Sequence, residues 1–423
     1  MTSSKFENVQ DRRALIDRRG IADALAALPK GKDRNGLATQ ILRRALEQGR
    51  AEIARRLALE PDRGRAAARA TAYLHDQLVR LAYDRVAAGQ DMEPMALVGL
   101  GCTGRGEMAP FSDIDLMFLT APKPTARQEA AVQSVLHLLW DLNLKVGHSV
   151  RSGTELIALA KSDMTIRTAC LEARLIWGEQ AIFDQATQRF RTKIVSGTAA
   201  EFVTAKLAER DQRHRRMGDT RYVVEPNVKD GKGGLRDLHT LYWIGKYVHG
   251  VEEPADLVRV GLFTAAEFKK FERAERFFWA VRCHLHVAAG RAEDRLGFDH
   301  QKHIAEVMRY ADRPGKSAVE RFMQFYFINA KAVGDLTGIF LAQLDEQLGK
   351  KGFRFALPTI RRRPKRLSGF VLDRGRLSIP DEGFFAEDPA RLLEIYALAA
   401  RERLEIHPAA MRAAARDAKL IDD

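Results

Sequence analysis

The sequence lacks long apolar runs, clustered cysteines and internal repeats. No segment approaches the roughly 20 consecutive apolar residues that cross a membrane, and the first residues are polar rather than the apolar core of a secretion signal. Three cysteines, Cys102, Cys170 and Cys283, lie far apart, form no metal-binding spacing and leave one over in any pairing. These absences argue against a membrane protein, a disulfide scaffold and a cysteine-based zinc site, and they predict a cytoplasmic protein.

Basic residues outnumber acidic ones, with 69 Lys and Arg against 56 Asp and Glu, which gives a net charge of +13. Such a surface favours anionic partners, which include nucleotides, nucleic acids and acidic proteins. The alternative is that many arginines simply solvate helix faces, and charge alone does not choose between the two. The 423 residues, of which 46% are hydrophobic, are typical of a globular chain with two or three domains.

The spacing of apolar residues divides the chain into four regions. Residues 1–92 have helical spacing and form an N-terminal helical region. Residues 93–155 change to short apolar runs that predict strands. Residues 156–350 are again helical, apart from a glycine-rich segment at 225–237. Residues 351–423 predict connecting strands, loops and the start of a truncated C-terminal helical region.

The second region predicts a small mixed α/β unit. Its elements alternate between strand and helix periodicity, and we assign them to Met95–Leu100 (strand), Asp113–Leu119 (strand), Gln128–Leu142 (helix) and Leu144–Arg151 (strand).

Two carboxylates on the second strand are the main chemical signal. Asp113 and Asp115 are two residues apart, so on a strand both side chains project from one face. Paired carboxylates repel each other unless a cation lies between them, and Mg²⁺ is commonly bound by one or two carboxylates together with substrate phosphates. The alternative is an exposed strand end that carries two acids by chance.

The glycine cluster before this strand favours the functional interpretation. Gly101 and Gly104 allow a sharp turn whose backbone N–H groups can donate to phosphate oxygens, while Arg105 and Ser112 add further donors. A phosphate-binding turn opposite a metal-binding pair is what nucleotidyl transfer requires. We therefore predict Asp113 and Asp115 as catalytic metal ligands and these four residues as nucleotide-binding.

The same glycines also match the dinucleotide-binding pattern G-x-G-x-x-G, through Gly99, Gly101 and Gly104. That motif needs a full helix after the glycines, within a βαβ unit of about thirty residues. Pro110 and the short distance to Asp113 leave no room for such a helix. A nicotinamide or flavin enzyme is therefore not expected.

At this point the sequence resembles a known family, the bifunctional uridylyltransferase/uridylyl-removing enzymes that modify the PII nitrogen-signalling protein. Four stretches carry the resemblance in the family's order: Gly101–Leu116, Val146–Arg151, Glu225–Asp237 and Gly290–Leu296. The resemblance implies an α+β fold, in which a small polymerase-β-like nucleotidyltransferase mixed sheet is flanked by N-terminal helices and a C-terminal helical domain.

The resemblance also implies an activity. The chain would transfer UMP from UTP to a tyrosine of PII and release pyrophosphate, with Mg²⁺ on Asp113 and Asp115. Within the glycine-rich segment, five residues would act as a lid or support the active site, namely Lys229, Gly233, Gly234, Arg236 and Asp237. A purely structural role for this segment, at the start of the following helix, is an equal alternative.

Two departures from the family pattern bear on these expectations. Cys102 and Thr103 stand where the family has a glycine and an aromatic residue, and the Cys102 side chain lies where phosphate would approach. The family also continues into a metal-dependent hydrolase domain and glutamine-sensing domains, whereas this sequence stops at Asp423. We therefore expect neither UMP removal nor a direct response to glutamine.

Other residues carry weaker signals. His75–Asp76 matches the letters of a hydrolase motif but stands alone in a helical pattern, so we predict a surface position. Four histidines without supporting ligands are predicted to be structural or solvated: His284, His286, His300 and His303. The basic run Arg361–Arg366 predicts a solvated loop, with contact to RNA or an acidic partner as the alternative.

The third strand offers no further carboxylate, although many enzymes of the resembled fold use one there. His148 lies on this strand, with Asp141 and Glu155 on either side, so we assign no general base.

Two other functions remain open. One is a template-independent nucleotidyltransferase acting on RNA, although nucleic acid is not the expected partner because the basic run contains no aromatic residue for base stacking. The other is a catalytically weakened remnant that binds PII.

Overall fold

The computed structural model describes residues 4–29, 34–89, 93–349, 368–373, 376–402, 404 and 406–421. The fold is mixed α+β, with many helices, one four-stranded sheet and one two-stranded sheet in these ranges. No helix in the described part of the chain is long and apolar enough to cross a membrane. The basic run at 361–366 lies outside the described residues.

Four helices precede the large sheet: α1 (Arg12–Leu15), α2 (Arg18–Ala26), α3 (Arg34–Leu59) and α4 (Gly64–Ala87), after a short 3₁₀ turn at Ser4–Phe6. The side chains of Asp11 and Asp17 cap α1 and α2 by accepting hydrogen bonds from first-turn N–H groups. Helix α4 is rich in alanine and buried along most of its length. It lies so close to α3 that a Cβ at Gly49 would be 2.6 Å from Cδ1 of Leu74.

The large sheet contains β1 (Ala96–Gly99), β2 (Ile114–Thr120), β3 (Val146–Ser152) and β4 (Arg174–Gly178), in the order β3-β2-β1-β4. Strand β1 is antiparallel to both neighbours, whereas β2 and β3 are parallel. Helix α5 (Gly101–Arg105) follows β1. Parallel neighbours need a crossover connection, and α6 (Ala126–Asp141) provides it.

The three predicted strands are present, with bounds shifted by one or two residues. The fourth strand, β4, was not expected, because its few residues lie inside a region whose overall spacing is helical. The predicted glycine turn also differs, since residues 101–105 form the short helix α5.

Helices continue after β3 and β4, interrupted by a π-helical turn at Arg191–Val195 and by the non-helical segment 217–234. They are α7 (Gly153–Ser162), α8 (Met164–Leu171), α9 (Gln180–Phe190), α10 (Ala199–Arg216), α11 (Leu235–His249), α12 (Asp256–Arg259), α13 (Ala265–Ala289), α14 (Phe298–Val307) and α15 (Ala318–Gly349).

The C-terminal part begins with an antiparallel strand pair and continues with helices around a small core that includes Phe385 and Ile395. Its elements are β5 (Val371–Asp373), β6 (Arg376–Ser378), α16 (Phe384–Glu387), α17 (Arg391–Glu402) and α18 (Pro408–Asp417), followed by a 3₁₀ turn at Ala418–Ile421.

The chain divides into two compact units. The first comprises Met1–Val248 and Glu272–Lys331, and the second comprises His249–Phe271 and Ala332–Asp423. This division crosses the predicted helical region 156–350, because α13 and α15 each run from one unit into the other. The sheet and all the predicted site residues belong to the first unit.

Candidate active site

Asp113 and Asp115 lie at the start of β2, a central strand of the sheet. Asp113 is exposed and directly precedes the strand, whereas Asp115 is half-buried and is its second residue. The intervening Ile114 is fully buried, as the alternation along a strand requires. Burial and the neighbouring charge of Asp113 both raise the pKa of Asp115, and Lys229 lowers it. The two carboxylates and one lysine therefore share one electrostatic environment.

Two glycines leave space around the carboxylate of Asp115. Gly147 of β3 is its register partner, and a Cβ there would lie 2.9 Å from Oδ1 of Asp115. On the other side, a Cβ at Gly101 would lie 3.4 Å from Oδ2, and the φ of Gly101 is +51°, a value that favours glycine. The backbone N–H of Asp115 donates to Oγ1 of Thr103 at 3.0 Å, which fixes the strand here.

The donor set fits a magnesium ion. Asp113 and Asp115 offer carboxylate oxygens with open space around them, and Mg²⁺ is usually bound by one or two carboxylates, with phosphates and water completing its shell. In the described ranges, no group of three or more histidine, cysteine or acidic side chains could enclose a metal by itself. Paired residues across β2 and β3 lie on one face, and Ser149 and Arg151 follow Gly147 there, so β3 adds no carboxylate, as expected.

Arg105, which was predicted to contact phosphate, is paired with carboxylates inside the protein. Its Nη1 bonds both oxygens of Glu172, at 2.7 and 2.8 Å, and its Nε lies 3.7 Å from Glu107. The side chain is 10% exposed, so its charge is used inside the protein. Gly104 is also needed for packing, because a Cβ there would lie 2.1 Å from the carbonyl oxygen of Glu172.

Ser112 keeps a free hydrogen-bonding group at the site. Its Oγ is buried and has no hydrogen-bond partner among the described residues. Buried hydroxyls normally have a partner, so this oxygen is suited to a bound ligand. Cys102, in contrast, directs its Sγ to the carbonyl oxygen of Asp113, at 3.8 Å, and burial raises the pKa of its thiol.

In the glycine-rich segment, the structure separates Lys229 from the other predicted residues. Lys229 is one-third exposed, its charge reaches Asp115, and its Nζ lies 3.9 Å from Oδ2 of Asp294. Oδ1 of Asn227 accepts hydrogen bonds from the backbone N–H groups of Lys229 and Asp230, which stabilises the turn. Lys229 is thus a partly exposed cation whose charge acts on Asp115.

The remaining residues of this segment support the structural alternative. Asp237 is buried in the first turn of α11, where its carboxylate accepts the N–H of Gly233 at 2.8 Å and pairs with Arg213 and His214. Arg236 pairs with Asp230, at 3.2 Å. Gly233 and Gly234 lie against backbone carbonyls, because a Cβ would be 2.4 Å from the oxygen of Ala330 and 2.7 Å from that of Val228, respectively.

A buried cluster around Asp294 was missed by the sequence analysis. Its carboxylate lies 2.6 Å from Nε of Arg282 and 3.3 Å from Nε2 of His286. Burial alone would raise the pKa of Asp294, but His286 and Arg282 hold it far below its usual value. The signal was the fourth family-like stretch, Gly290–Leu296, to which no role was given.

The predicted surface position of His75 and Asp76 is wrong. His75 is 1% exposed, and burial lowers its pKa to about 3, so the ring is neutral at physiological pH. Asp76 forms a buried ion pair with Arg174, at 2.7 Å, and Arg174 also donates to the carbonyl oxygens of Thr103 and Gly104. The prediction failed because α4 is covered on nearly all sides, so its polar residues are also inside.

The histidines that were predicted to be structural or solvated occupy such positions. His284 is buried and bonds the carbonyl oxygen of Pro61, His300 is half-buried, and His303 is exposed. Glu155 accepts from Ser152 in the capping box of α7 and is therefore occupied.

Adjacent strand carboxylates, a neighbouring lysine and an unpartnered hydroxyl make a site suited to metal-assisted transfer of a phosphoryl or nucleotidyl group. Sequence comparison gives this class a family. A family model described as GlnD PII-uridylyltransferase matches residues 201–341. Bifunctional uridylyltransferase/uridylyl-removing enzymes from Novosphingobium aromaticivorans, Erythrobacter litoralis and Rhodospirillum rubrum are 54%, 48% and 45% identical to the chain over 98%, 98% and 96% of its length.

The chain belongs to the family of bifunctional uridylyltransferase/uridylyl-removing enzymes. It spans 46%, 46% and 44% of the lengths of those three relatives, which is somewhat under half of each.

Proposed function

We propose that the chain is a polymerase-β-like nucleotidyltransferase that moves UMP from UTP to a tyrosine hydroxyl of the PII signalling protein and releases pyrophosphate. The uridylyltransferase activity in the names of its relatives supports the reaction. The observation that carries the proposal is the carboxylate of Asp115, which lies between two glycines and beside both Asp113 and Lys229.

Each of these residues has a role in the proposal. Asp113 and Asp115 would hold Mg²⁺, which when bound neutralises the triphosphate and stabilises charge on the leaving pyrophosphate. Lys229, rather than Arg105, supplies the positive charge for phosphate oxygens, because Arg105 is already paired with Glu172. The free Oγ of Ser112 donates a hydrogen bond to the nucleotide. Gly101 and Gly147 keep the approach to Asp115 open.

The direct test combines the purified chain with Mg²⁺, UTP and the PII protein of the same organism, and measures PII by intact mass spectrometry. We expect the addition of one uridylyl group per PII subunit. Asp113→Asn and Asp115→Asn should reduce the rate by at least about a hundredfold, since each removes a metal ligand. Asp141→Asn is the matched control, because Asp141 is an exposed carboxylate at the end of α6.

Parental activity in both Asn variants would refute the assignment of the carboxylates. Binding of PII without any transfer would instead favour the weakened remnant, and extension of an RNA oligonucleotide would favour the RNA-directed alternative. Competition between UTP and ATP in the same assay tests the choice of base, which rests on the names of the relatives.

A further inference from the structure

His286 of α13 links Asp294, which lies in the segment after this helix, to the loop that leads into β2. His286 is fully buried, and its Nε2 lies 3.3 Å from Oδ1 of Asp294. Its other ring nitrogen, Nδ1, accepts a hydrogen bond from the backbone N–H of Phe111, at 3.3 Å. One imidazole therefore joins a carboxylate of the helical region to the main chain two residues before Asp113.

These two contacts determine the tautomer of His286. A backbone N–H can only donate, so Nδ1 must be unprotonated, and a neutral ring then carries its proton on Nε2. That proton is donated to Asp294, whose carboxylate is fixed in turn by Nε of Arg282, at 2.6 Å. Asp294 thus keeps His286 in the one neutral form that can accept from Phe111.

The loop needs such support because Asp113 lies outside the strand. The hydrogen bonding of β2 with its parallel neighbour begins at Ile114, whose N–H donates to the carbonyl oxygen of Lys145, at 2.8 Å. Before it, the N–H of Ser112 donates to the carbonyl oxygen of Ala109, at 2.9 Å, which is a bond inside the loop. The bond from Phe111 to His286 instead anchors the loop to a distant helix.

We propose that the Asp294–His286 pair is a positioning device, which holds the backbone at Phe111 and so sets where Ser112 and Asp113 present their side chains. Its effect on catalysis rests on the proposed function. Asp294 also lies 3.9 Å from Nζ of Lys229. The Asp294 carboxylate is therefore linked to the loop of Asp113 through His286 and lies within ion-pair distance of Lys229. It helps to position both groups.

Two substitutions at His286 separate the two contacts. In His286→Asn, the amide oxygen takes the place of Nδ1 and can accept from Phe111, while the contact to Asp294 is lost. In His286→Gln, the amide nitrogen takes the place of Nε2 and can donate to Asp294, while the acceptor for Phe111 is lost. His284→Asn and His284→Gln are matched controls, because His284 is also buried on α13 and also bonds the main chain of another segment, through Nε2 to the carbonyl oxygen of Pro61.

Hydrogen–deuterium exchange of the metal-free protein measures the anchor directly. We expect the segment 109–113 to exchange about fivefold faster in His286→Gln, the factor that corresponds to a lost hydrogen bond of about 1 kcal/mol, and to stay close to the parent in His286→Asn. The His284 variants should leave this segment unchanged. Parental exchange in His286→Gln, or equally fast exchange in both His286 variants, would overturn the proposal.

A second measurement does not depend on the Gln variant folding. ¹⁵N-histidine spectra of the unmodified protein, with the His286 signal assigned by its loss in His286→Asn, should show a proton on Nε2 and none on Nδ1. A proton on Nδ1 would overturn the proposal.

The uridylylation assay adds the catalytic consequence. We expect His286→Gln to lower kcat about tenfold and to raise the KM for UTP, and His286→Asn to change neither, because the displaced loop carries both Asp113 and Ser112. An inactive parent would refute the proposed function, while the exchange and tautomer results would still decide the anchor. Parental kcat together with fast exchange would show that the loop position does not limit transfer and would overturn the catalytic part.

Discussion

At the scale of the residue, the candidate site depends on the absence of side chains at the two positions beside the Asp115 carboxylate. Glycine stands at both neighbouring positions, 101 and 147, and both oxygens of the carboxylate face those gaps. Only one of the two glycines has a backbone conformation that itself favours glycine, since φ is +51° at Gly101 and is not in the left-handed region at Gly147. A substitution at Gly147 therefore tests the need for open space beside the carboxylate without straining the backbone.

We predict that Gly147→Ala lowers the transfer rate about tenfold or more. The added Cβ would lie 2.9 Å from Oδ1 of Asp115, so the carboxylate must move, and small displacements of catalytic groups cost large factors in rate. Steady-state assays and Mg²⁺ titration measure the effect. Gly153→Ala, just after β3, is the control, because its Cβ would meet only Cβ of Ala186, at an ordinary 3.9 Å. Equal activity of the two variants would show that the gap at Gly147 is not required.

Residue identity indicated the pair of adjacent acids but not which cation is free of other partners. Asp113 and Asp115 were predictable because the period of a strand is two, which is a local property. Arg105 was misleading because its partner Glu172 is 67 positions away in the sequence, and no local pattern reveals such a partner. The charge of Lys229 acts on Asp115 only through the folding of a distant segment. Its place beside Asp115 was therefore invisible before the structure.

At the scale of the element, short and buried segments were the hardest to predict. Strands β1 and β2 have clear apolar runs that end near glycine or proline, whereas β3 has only two valines, Val146 and Val150, and a glycine directly after it. These local signals made the three strands predictable. Strand β4 has few residues and is surrounded by helical spacing, and only pairing with β1 reveals it. Helix α4 was correctly predicted as a helix, but its burial was not, because alanine allows close packing on several faces and weakens the contrast between core and surface.

A network of charges that joins α4, the loop after α5 and α13 makes the stability of the protein depend on pH. Arg65 bonds Glu107 at 2.7 Å and Glu275 at 3.1 Å. Burial raises the pKa of Glu275 to about 7, since the lowering by Arg65 is offset by the charge of Glu107, while the pKa of Glu107 itself is lowered. Arg65 therefore stabilises mainly the negative charge of Glu107, and Glu275 favours its protonated form.

Folding raises the pKa of Glu275, so its stabilising contribution is full below about pH 4.5 and is lost as the pH rises to about 7. We predict that Glu275→Gln, which resembles the protonated form, gains stability relative to the parent on going from pH 5 to pH 8, on the order of 1 kcal/mol. Urea unfolding at both pH values measures the difference. Exposed Glu306→Gln should give no such change, and the same result for Glu275→Gln would contradict the assignment.

At the scale of the whole molecule, the division into two compact units predicts a separate unfolding transition for each unit. Every residue of the candidate site belongs to the unit formed by Met1–Val248 and Glu272–Lys331. A ligand that binds only the folded site stabilises that unit by mass action. Nucleotide binding can therefore be measured without an acceptor protein.

We predict that UTP with Mg²⁺ raises the melting temperature of the transition that belongs to this unit. At a UTP concentration of a hundred times the dissociation constant, the free energy of unfolding should rise by about 2.7 kcal/mol. Differential scanning calorimetry detects the shift. Asp115→Asn should abolish most of it, and omission of Mg²⁺ should have a similar effect. An unchanged shift in Asp115→Asn would mean that the nucleotide binds elsewhere.

The two acids of the site differ in mechanical freedom, since one belongs to the ladder of a central strand and the other to the loop before it. The backbone N–H of Asp115 donates to Oγ1 of Thr103, and its carbonyl oxygen accepts from the N–H of Leu100, so its backbone is held in place. Asp113 precedes the strand, and its loop is held through the bond from Phe111 to His286. The distance between the two carboxylates therefore depends on the loop and its anchor rather than on the sheet alone.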